Sequence, residues 1–236
     1  MSSQYRRILL KLSGEALGGA AAFGLDPNAV SRIADETAEV IRSGVQVGIV
    51  VGGGNFFRGT EASDPSLQRP TVDSMGMLAT VINSLALADY LKARDIDAQV
   101  MSAVGMAPLA QRFDRARALA VLESGGAVIF GAGTGNPYFS TDTAASLRAA
   151  EIGADLVAKA TKVDGVYDRD PNKHADARRY EKISYAETLE KGLGVMDATA
   201  VALCRDNNLP VLVFNLNEAG SMGKAVRGEP IGTLMS

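Results

Sequence analysis

Three consecutive glycines, Gly52 to Gly54, follow an apolar run and precede an arginine, Arg58, in the stretch VVGGGNFFRG. Glycine leaves its amide N–H bare and reaches backbone angles closed to other residues, so such a triplet at a strand end suits an anion-binding concavity. Arg58 adds a planar fork for phosphate oxygens. The same letters also read as a flexible turn between two elements. Two further stretches carry hydrogen-bond donors of the same kind: Lys11, Ser13 and Gly14 in KLSG, and Thr134, Gly135, Asn136 and Thr141 in GTGNPYFSTD. Phosphoryl transfer needs little covalent help from a protein. Donors and cations that position the phosphates and neutralise their charge are suited to it.

The common nucleotide motifs fail letter by letter. The only Gly-Lys pair, Gly223 and Lys224, is followed by Ala225, so there is no Walker A sequence. The dinucleotide fingerprint would require glycine where Phe57 or Asn136 stands. Among the cations, Lys11 at the end of an apolar run places a point charge on transferring oxygens, or else snorkels from a strand. Lys162 in TKV is read as a second cation on the far side of the phosphoryl group, against a solvated loop lysine. Asp142 and Asp197 each open a helical pattern and read equally as caps or functional acids. Asp164, Asp168 and Asp170 crowd one loop, but magnesium keeps waters and leans on substrate phosphates, so no protein metal ligand is assigned.

These loops need elements to hold them. The chain has 236 residues, 47% hydrophobic and 22% charged, enough for a sizeable core. A net charge of −3, with basic residues scattered, gives no global attraction to nucleic acid or to an anionic membrane. One cysteine, Cys204, and one histidine, His174, exclude a disulfide framework and a zinc cluster. Cys204 reads as a core residue and His174 as a solvated loop residue. Lys11 interrupts the N-terminal apolar run too early for a signal peptide, and no run approaches about 18 consecutive apolar residues, so a cytoplasmic address is expected.

RRILLKL, VQVGIVV, DAQVMSA, AVIF, DLVAKAT, VLVFNL and GTLM read as strands. Helical patterns lie between them: DPNAVSRIADETAEVIRSG with Asp26 as cap, Pro27 in the first turn and Gly44 as the stop; VDSMGMLATVINSLALADYLKAR; Asp114 to Glu123; TDTAASLRAAEIG; SYAETLEKGLG; and MDATAVALCRDNN. Strands alternating with helices predict an α/β fold, a three-layer αβα sandwich with a mostly parallel central sheet. Ligand loops in such sheets follow the carboxyl ends of strands, which predicts one shared edge for all of them. The chain reads as a single domain, 1–236, with two lobes of about 1–153 and 154–236 and a hinge near Gly153 to Asp155. The long helix carries Met75, Met77, Leu78, Val81, Ile82, Leu85, Leu87 and Leu91 in too many directions for a surface helix, and a neighbouring subunit is the expected cover.

Taken in order along nearly the whole chain, KLSGEAL, VGGGNFFRG, MGMLATVIN, GTGNPYFSTD, ATKVDGVYDRDP and GTLM resemble the amino acid kinase superfamily, and within it the bacterial uridylate (UMP) kinase branch. KLSGE and KVDGVYDRDP are general to the superfamily, whereas GGGNFFRG with MGMLATVIN and GTGNPYFSTD is specific to the branch. The resemblance implies transfer of the ATP γ-phosphoryl group to UMP, with magnesium, in pyrimidine nucleotide biosynthesis by a homohexamer. It implies that Lys11, Leu12, Ser13, Gly14, Gly54 and Arg58 hold the ATP phosphates, and that Thr161, Tyr167 and Asp170 contact the nucleoside end of ATP. It gives UMP to Gly53, Asp73, Thr134, Gly135, Asn136, Pro137, Tyr138, Phe139, Ser140 and Thr141. Lys11, Arg58, Lys162 and Asp142 become the catalytic set. Asp73 opens the long helix and is read as either its cap or a partner of ribose hydroxyls; Asn136 and Thr141 suit a uracil edge or the α-phosphate, or else cap a loop. The branch also implies GTP as activator and UTP as inhibitor. Two alternatives stay open: a superfamily phosphotransferase acting on a carboxylate, carbamate or isopentenyl phosphate, and a nucleotide-sensing regulator without turnover.

Overall fold

The computed structural model describes residues 3–21, 23–57, 66–171, 173–174 and 176–236. Among the described residues nine strands form one sheet: β1 (Arg7–Leu12), β2 (Gln46–Val51), β3 (Ala98–Ser102), β4 (Gln111–Arg112), β5 (Ala127–Gly131), β6 (Leu156–Thr161), β7 (Lys182–Ile183), β8 (Val211–Asn215) and β9 (Gly232–Met235), in the order β4-β3-β5-β2-β1-β6-β8-β9-β7. Every pairing is parallel except β8 with β9. The central strands are buried along almost their whole length, which is why RILLKL and QVGIVV read as apolar runs rather than alternating patterns.

The α-helices described cover the sheet: α1 (Gly14–Leu17), α2 (Pro27–Arg42), α3 (Arg69–Lys92), α4 (Arg115–Glu123), α5 (Thr141–Ile152), α6 (Tyr185–Glu190), α7 (Ala198–Asp206) and α8 (Ser221–Val226). One apolar core joins the sheet to α1, α2, α3 and α8, and a second joins its other face to α4, α5, α6 and α7, giving the expected αβα layers. Each core draws on both halves of the chain. α2 follows its sequence closely: the Asp26 carboxylate accepts from Ala29 N–H at 2.9 Å, Pro27 occupies the first turn, and Val30, Ile33, Ala34, Thr37, Val40 and Ile41 are buried. Gly44, just beyond the end, takes φ +93°, which suits glycine.

α3 begins earlier than its sequence suggests. Gln68 precedes its first turn and Pro70 lies within it, so Asp73 sits in the second turn and caps nothing. Proline pre-sets φ at a helix start, and that outweighed the aspartate signal. The helix is long and apolar enough to cross a membrane by composition, but Thr80, Asn83 and Ser84 are among its most buried residues and face the loops of the sheet. On the other side Met75, Leu78 and Ile82 are exposed, Leu78 by 53%.

Candidate functional site

Strands β5, β2, β1 and β6 are consecutive neighbours in the sheet, and all four run the same way. The loops starting at Ala132, Gly52, Ser13 and Lys162 therefore leave one edge side by side, as the alternation of strands and helices predicts. β1 lies in the middle, with the next strand of the chain, β2, on one side and the much later β6 on the other, so the connections leave it in opposite directions and this is the point where clefts open.

The first cleft, of about 140 Å³, lies over β2 and β5. Gly53, Asp73, Thr134, Asn136, Phe139, Ser140 and Thr141 line it with Phe57, Val72, Gly76, Met77, Thr80 and Gly133. Gly135, Pro137 and Tyr138 shape the loop rather than line the space: Gly135 turns at φ +81°, and the Tyr138 amide donates to Asp73 Oδ2 at 2.7 Å. Asp73 also accepts from Arg69 Nε at 2.8 Å, so its carboxylate ties α3 to the loop. Thr134 and Asn136 hydrogen-bond within their own turn and leave Asn136 exposed at the cleft mouth.

The second cleft, of about 650 Å³, lies over β6 and β8. Thr161, Tyr167 and Asp170 line it, joined by Lys159 and by Lys191 to Val195. A bridge between Tyr167 and Arg179 braces its wall. Behind them Asp164 accepts from the Tyr167 hydroxyl at 2.5 Å and from Arg179 Nη1 at 2.8 Å. Burial works against its charge, but these donors hold the Asp164 carboxyl below its ordinary range. Asp168 instead accepts from the Arg178 amide at 2.9 Å and braces the same wall.

Between the clefts stands a charged triad. Lys11 and Lys159 are register partners on β1 and β6, so both side chains leave the same face of the sheet. Asp142, in the first turn of α5, reaches between them, with Oδ1 2.8 Å from Lys11 Nζ and Oδ2 2.7 Å from Lys159 Nζ. Lys11 and Lys159 are each only 8% exposed. Burial opposes the charge of Asp142, yet the two ammonium groups prevail and hold its carboxyl below the ordinary value. Burial first, and the like charge of Lys11 second, push Lys159 down despite its carboxylate partner.

The helix start explains why Asp142 is free for this. Ser140 is the cap of α5, its hydroxyl accepting from the amides of Asp142 and Thr143 at 3.0 and 3.1 Å. Asp197 does cap α7, accepting from Ala200 N–H at 3.1 Å, and it also receives Thr143 Oγ1 at 2.9 Å and the Ser140 hydroxyl. Lys159 donates in addition to the Val195 carbonyl. The triad is thus anchored to the segment that walls the second cleft.

Lys162 is not in the triad. It stands at the strand end with its side chain 60% exposed and pairs with Glu15 Oε2 at 2.8 Å, and the buried cation across from Lys11 is Lys159. The Leu12 side chain is wholly buried in the core, and its carbonyl accepts from Gly52 N–H at 2.9 Å, so it shapes the edge through its backbone. Ser13 and Gly14 open α1 directly beside the glycine triplet. A methyl group on Gly14 would stand 2.7 Å from both the Gly52 carbonyl and the Gly54 nitrogen, so only glycine fits. Arg58 lies outside the described residues. His174 is exposed, and Cys204 is fully buried with its thiol 3.2 Å from Ser146 Oγ, whose hydroxyl in turn donates to the Asp142 backbone carbonyl at 3.1 Å.

Lys159 was missed in the sequence although LVAKAT carries the same signal as RILLKL, a lone lysine inside a buried strand. An ionisable group there is rare without a partner, and that rarity marks a site. The Lys191 to Val195 segment carried no such signal, because only folding brings it to the cleft.

Residues 6–215 match the profile of the Amino acid kinase family. The fold superposes on UMP kinase from Bacillus anthracis with a TM-score of 0.95 at 38% identity, covering 98% of this chain and 96% of that one. UMP kinase from Ureaplasma parvum gives 0.93 at 35% identity over 99% of both chains. Uridylate kinase from Archaeoglobus fulgidus gives 0.77 at 27% identity, over 97% of this chain and 99% of that one. With its mostly parallel sheet, its two clefts on one edge and this match across most of its length, the chain belongs to the amino acid kinase family.

Proposed function

We infer that the protein transfers the γ-phosphoryl group of ATP to UMP, giving UDP and ADP. The observation that carries this reading is the Lys11–Asp142–Lys159 triad standing between two clefts on one sheet edge. UMP would occupy the smaller cleft, its ribose near Asp73 and its phosphate directed toward the triad. ATP would occupy the larger, its nucleoside against Thr161, Tyr167 and Asp170 and its phosphates along Ser13, Gly14, Gly54 and Arg58. A UMP phosphate oxygen forms the new bond to the γ-phosphorus while the bond to the β–γ bridging oxygen breaks and ADP leaves. Lys11 and Lys159 neutralise the charge that spreads over the transferring oxygens, where buried cations act more strongly than in water. Asp142 holds the two ammonium groups apart and correctly aimed.

Magnesium would enter with ATP, held mainly by phosphate oxygens and water. Among the described residues no three His, Cys, Asp or Glu side chains gather as a cage, and Asp142 is committed to its lysines. The exposed Met75, Leu78 and Ile82 face of α3 supports a homo-oligomer built through that helix, and the family pattern supports a hexamer, a cytoplasmic location, and control by GTP and UTP.

The test is a coupled assay for ADP with purified protein, ATP, magnesium and each nucleoside monophosphate, with and without GTP. Turnover with UMP well above CMP and AMP is expected; absence of ADP with UMP overturns the reading. Loss of turnover in Lys11→Ala with nucleotide binding retained separates a kinase from a sensor.

A further inference from the structure

The motif MGMLATVIN ends on Asn83, a residue that the reading above leaves without a role. Asn83 is 0% exposed and faces Asn55, 1% exposed, across a reciprocal amide pair. Asn55 Nδ2 donates to Asn83 Oδ1 at 3.0 Å, and Asn83 Nδ2 donates to Asn55 Oδ1 at 2.7 Å. The second hydrogen of each amide goes to backbone: Asn83 to the Gly52 carbonyl at 2.7 Å, Asn55 to the Gly24 carbonyl at 2.6 Å. All four side-chain N–H groups are therefore used, away from water. A fully satisfied buried network of this kind rigidifies what it touches.

What it touches is the loop after β2, whose Gly53 lines the smaller cleft. Gly52 opens the glycine triplet and Asn55 directly follows it, and a methyl group on Gly14 would lie 2.5 Å from Asn55 Oδ1. Gly53 leaves no space against the helix, since a methyl group there would stand 2.7 Å from Ala79 Cβ and 2.8 Å from the Gly76 carbonyl. One turn earlier on the same face, Thr80 Oγ1 accepts from the Ala132 amide at 2.8 Å, where Ala132 holds φ +63° at the start of the other substrate loop. α3 thus grips both loops of the smaller cleft through buried polar groups, and Asn83 is its contact to the triplet.

We propose that Asn83 is a positioning residue for phosphoryl transfer: through Asn55 and the Gly52 carbonyl it fixes the glycine triplet where the two nucleotides meet. The proposal rests on the reading of the site as a phosphotransferase. Its effect falls on alignment of the reacting groups rather than on the nucleoside grips at Asp73 or Tyr167, so it acts on kcat more than on KM. Small misplacements of reacting groups cost about 100-fold in rate.

The test compares wild type, Asn83→Ala, Asn55→Ala and the double variant with Ile41→Ala, a core truncation in α2 remote from the triplet. Thermal midpoint, kcat, KM for ATP and UMP, and amide hydrogen exchange over residues 50–56 are measured on each. In Asn83→Ala, kcat is expected to fall about 10- to 100-fold with KM for each nucleotide within about threefold. Exchange of the triplet accelerates, and the double variant is no worse than the weaker single one. Ile41→Ala, at a similar loss of thermal midpoint, keeps kcat within about twofold. An unchanged kcat in Asn83→Ala, an equal loss in Ile41→Ala, or additive losses in the double variant would overturn the proposal. Should Asn83→Ala not fold, Asn83→Ser and Asn55→Ser break the same pair with smaller loss of volume and are judged by the same criteria. Failure of wild type to phosphorylate UMP sinks the functional reading instead, and unaltered exchange of the triplet in the variants then sinks the clasp separately.

Discussion

At the scale of single residues, the site depends on one carboxylate shared by two buried ammonium groups. Lys159→Met is expected to lower kcat by about 10²–10³, the range seen when one preorganised electrostatic donor is removed, while Lys162→Ala changes it only a few-fold; steady-state kinetics on the two variants distinguish them. The pH dependence follows from the direction of the Asp142 shift. Its carboxyl is held low in the folded protein, so the stabilisation is complete above the ordinary carboxylate value of about 4 and disappears as pH falls through the folded value. Asp142→Asn leaves two buried ammonium groups facing each other and is expected to cost about 3–5 kcal/mol at neutral pH. Urea unfolding from pH 7 to pH 2 is expected to show that gap narrowing only below about pH 4. A gap constant across that range would contradict the ion-pair assignment.

At the scale of elements, α3 presents two different faces. Its inner face admits no side chain at Gly53, so Gly53→Ala is expected to destabilise by about 1–3 kcal/mol and to lower turnover, because the new methyl group pushes the triplet off the helix. Differential scanning calorimetry and the coupled assay read the two effects. Its outer face exposes Leu78 and Ile82, and a charge placed there is tolerated in a monomer but not in a packed interface. Ile82→Asp is therefore expected to lower the mass measured by light scattering to that of a smaller assembly without lowering the thermal midpoint of the isolated chain. The start of this helix shows a limit of sequence reading. Asp73 has the chemistry of a cap, but Pro70 moved the boundary, and Asp73 instead joins Arg69 to the Tyr138 amide.

At the scale of the molecule, two cores on opposite faces of one sheet stabilise the edge on which both clefts open. Ligands that bind only the folded state add to that stability. At 100 times its dissociation constant, a nucleotide adds about 2.7 kcal/mol, which for a chain of this size raises the thermal midpoint by roughly 5–10 °C. ATP analogue and UMP added together are expected to raise it further than either alone, as measured by thermal shift. Absence of any shift with UMP would argue against the smaller cleft as its site.

Periodicity and glycine placement in the sequence were enough to determine the alternating strands and helices, the mostly parallel sheet and the set of loops that follow its strands. Those signals are local, because burial on both faces forces apolar runs and tight approaches force glycine. Only the tertiary structure decided which lysine opposes Lys11. Lys159 and Lys162 are three residues apart and chemically alike, and what separates them is the parallel register of β6 on β1, a pairing between segments about 150 residues distant in the chain. The Asn55–Asn83 clasp and the Lys191–Val195 wall belong to the same class, since each exists only where packing joins segments that no local pattern links.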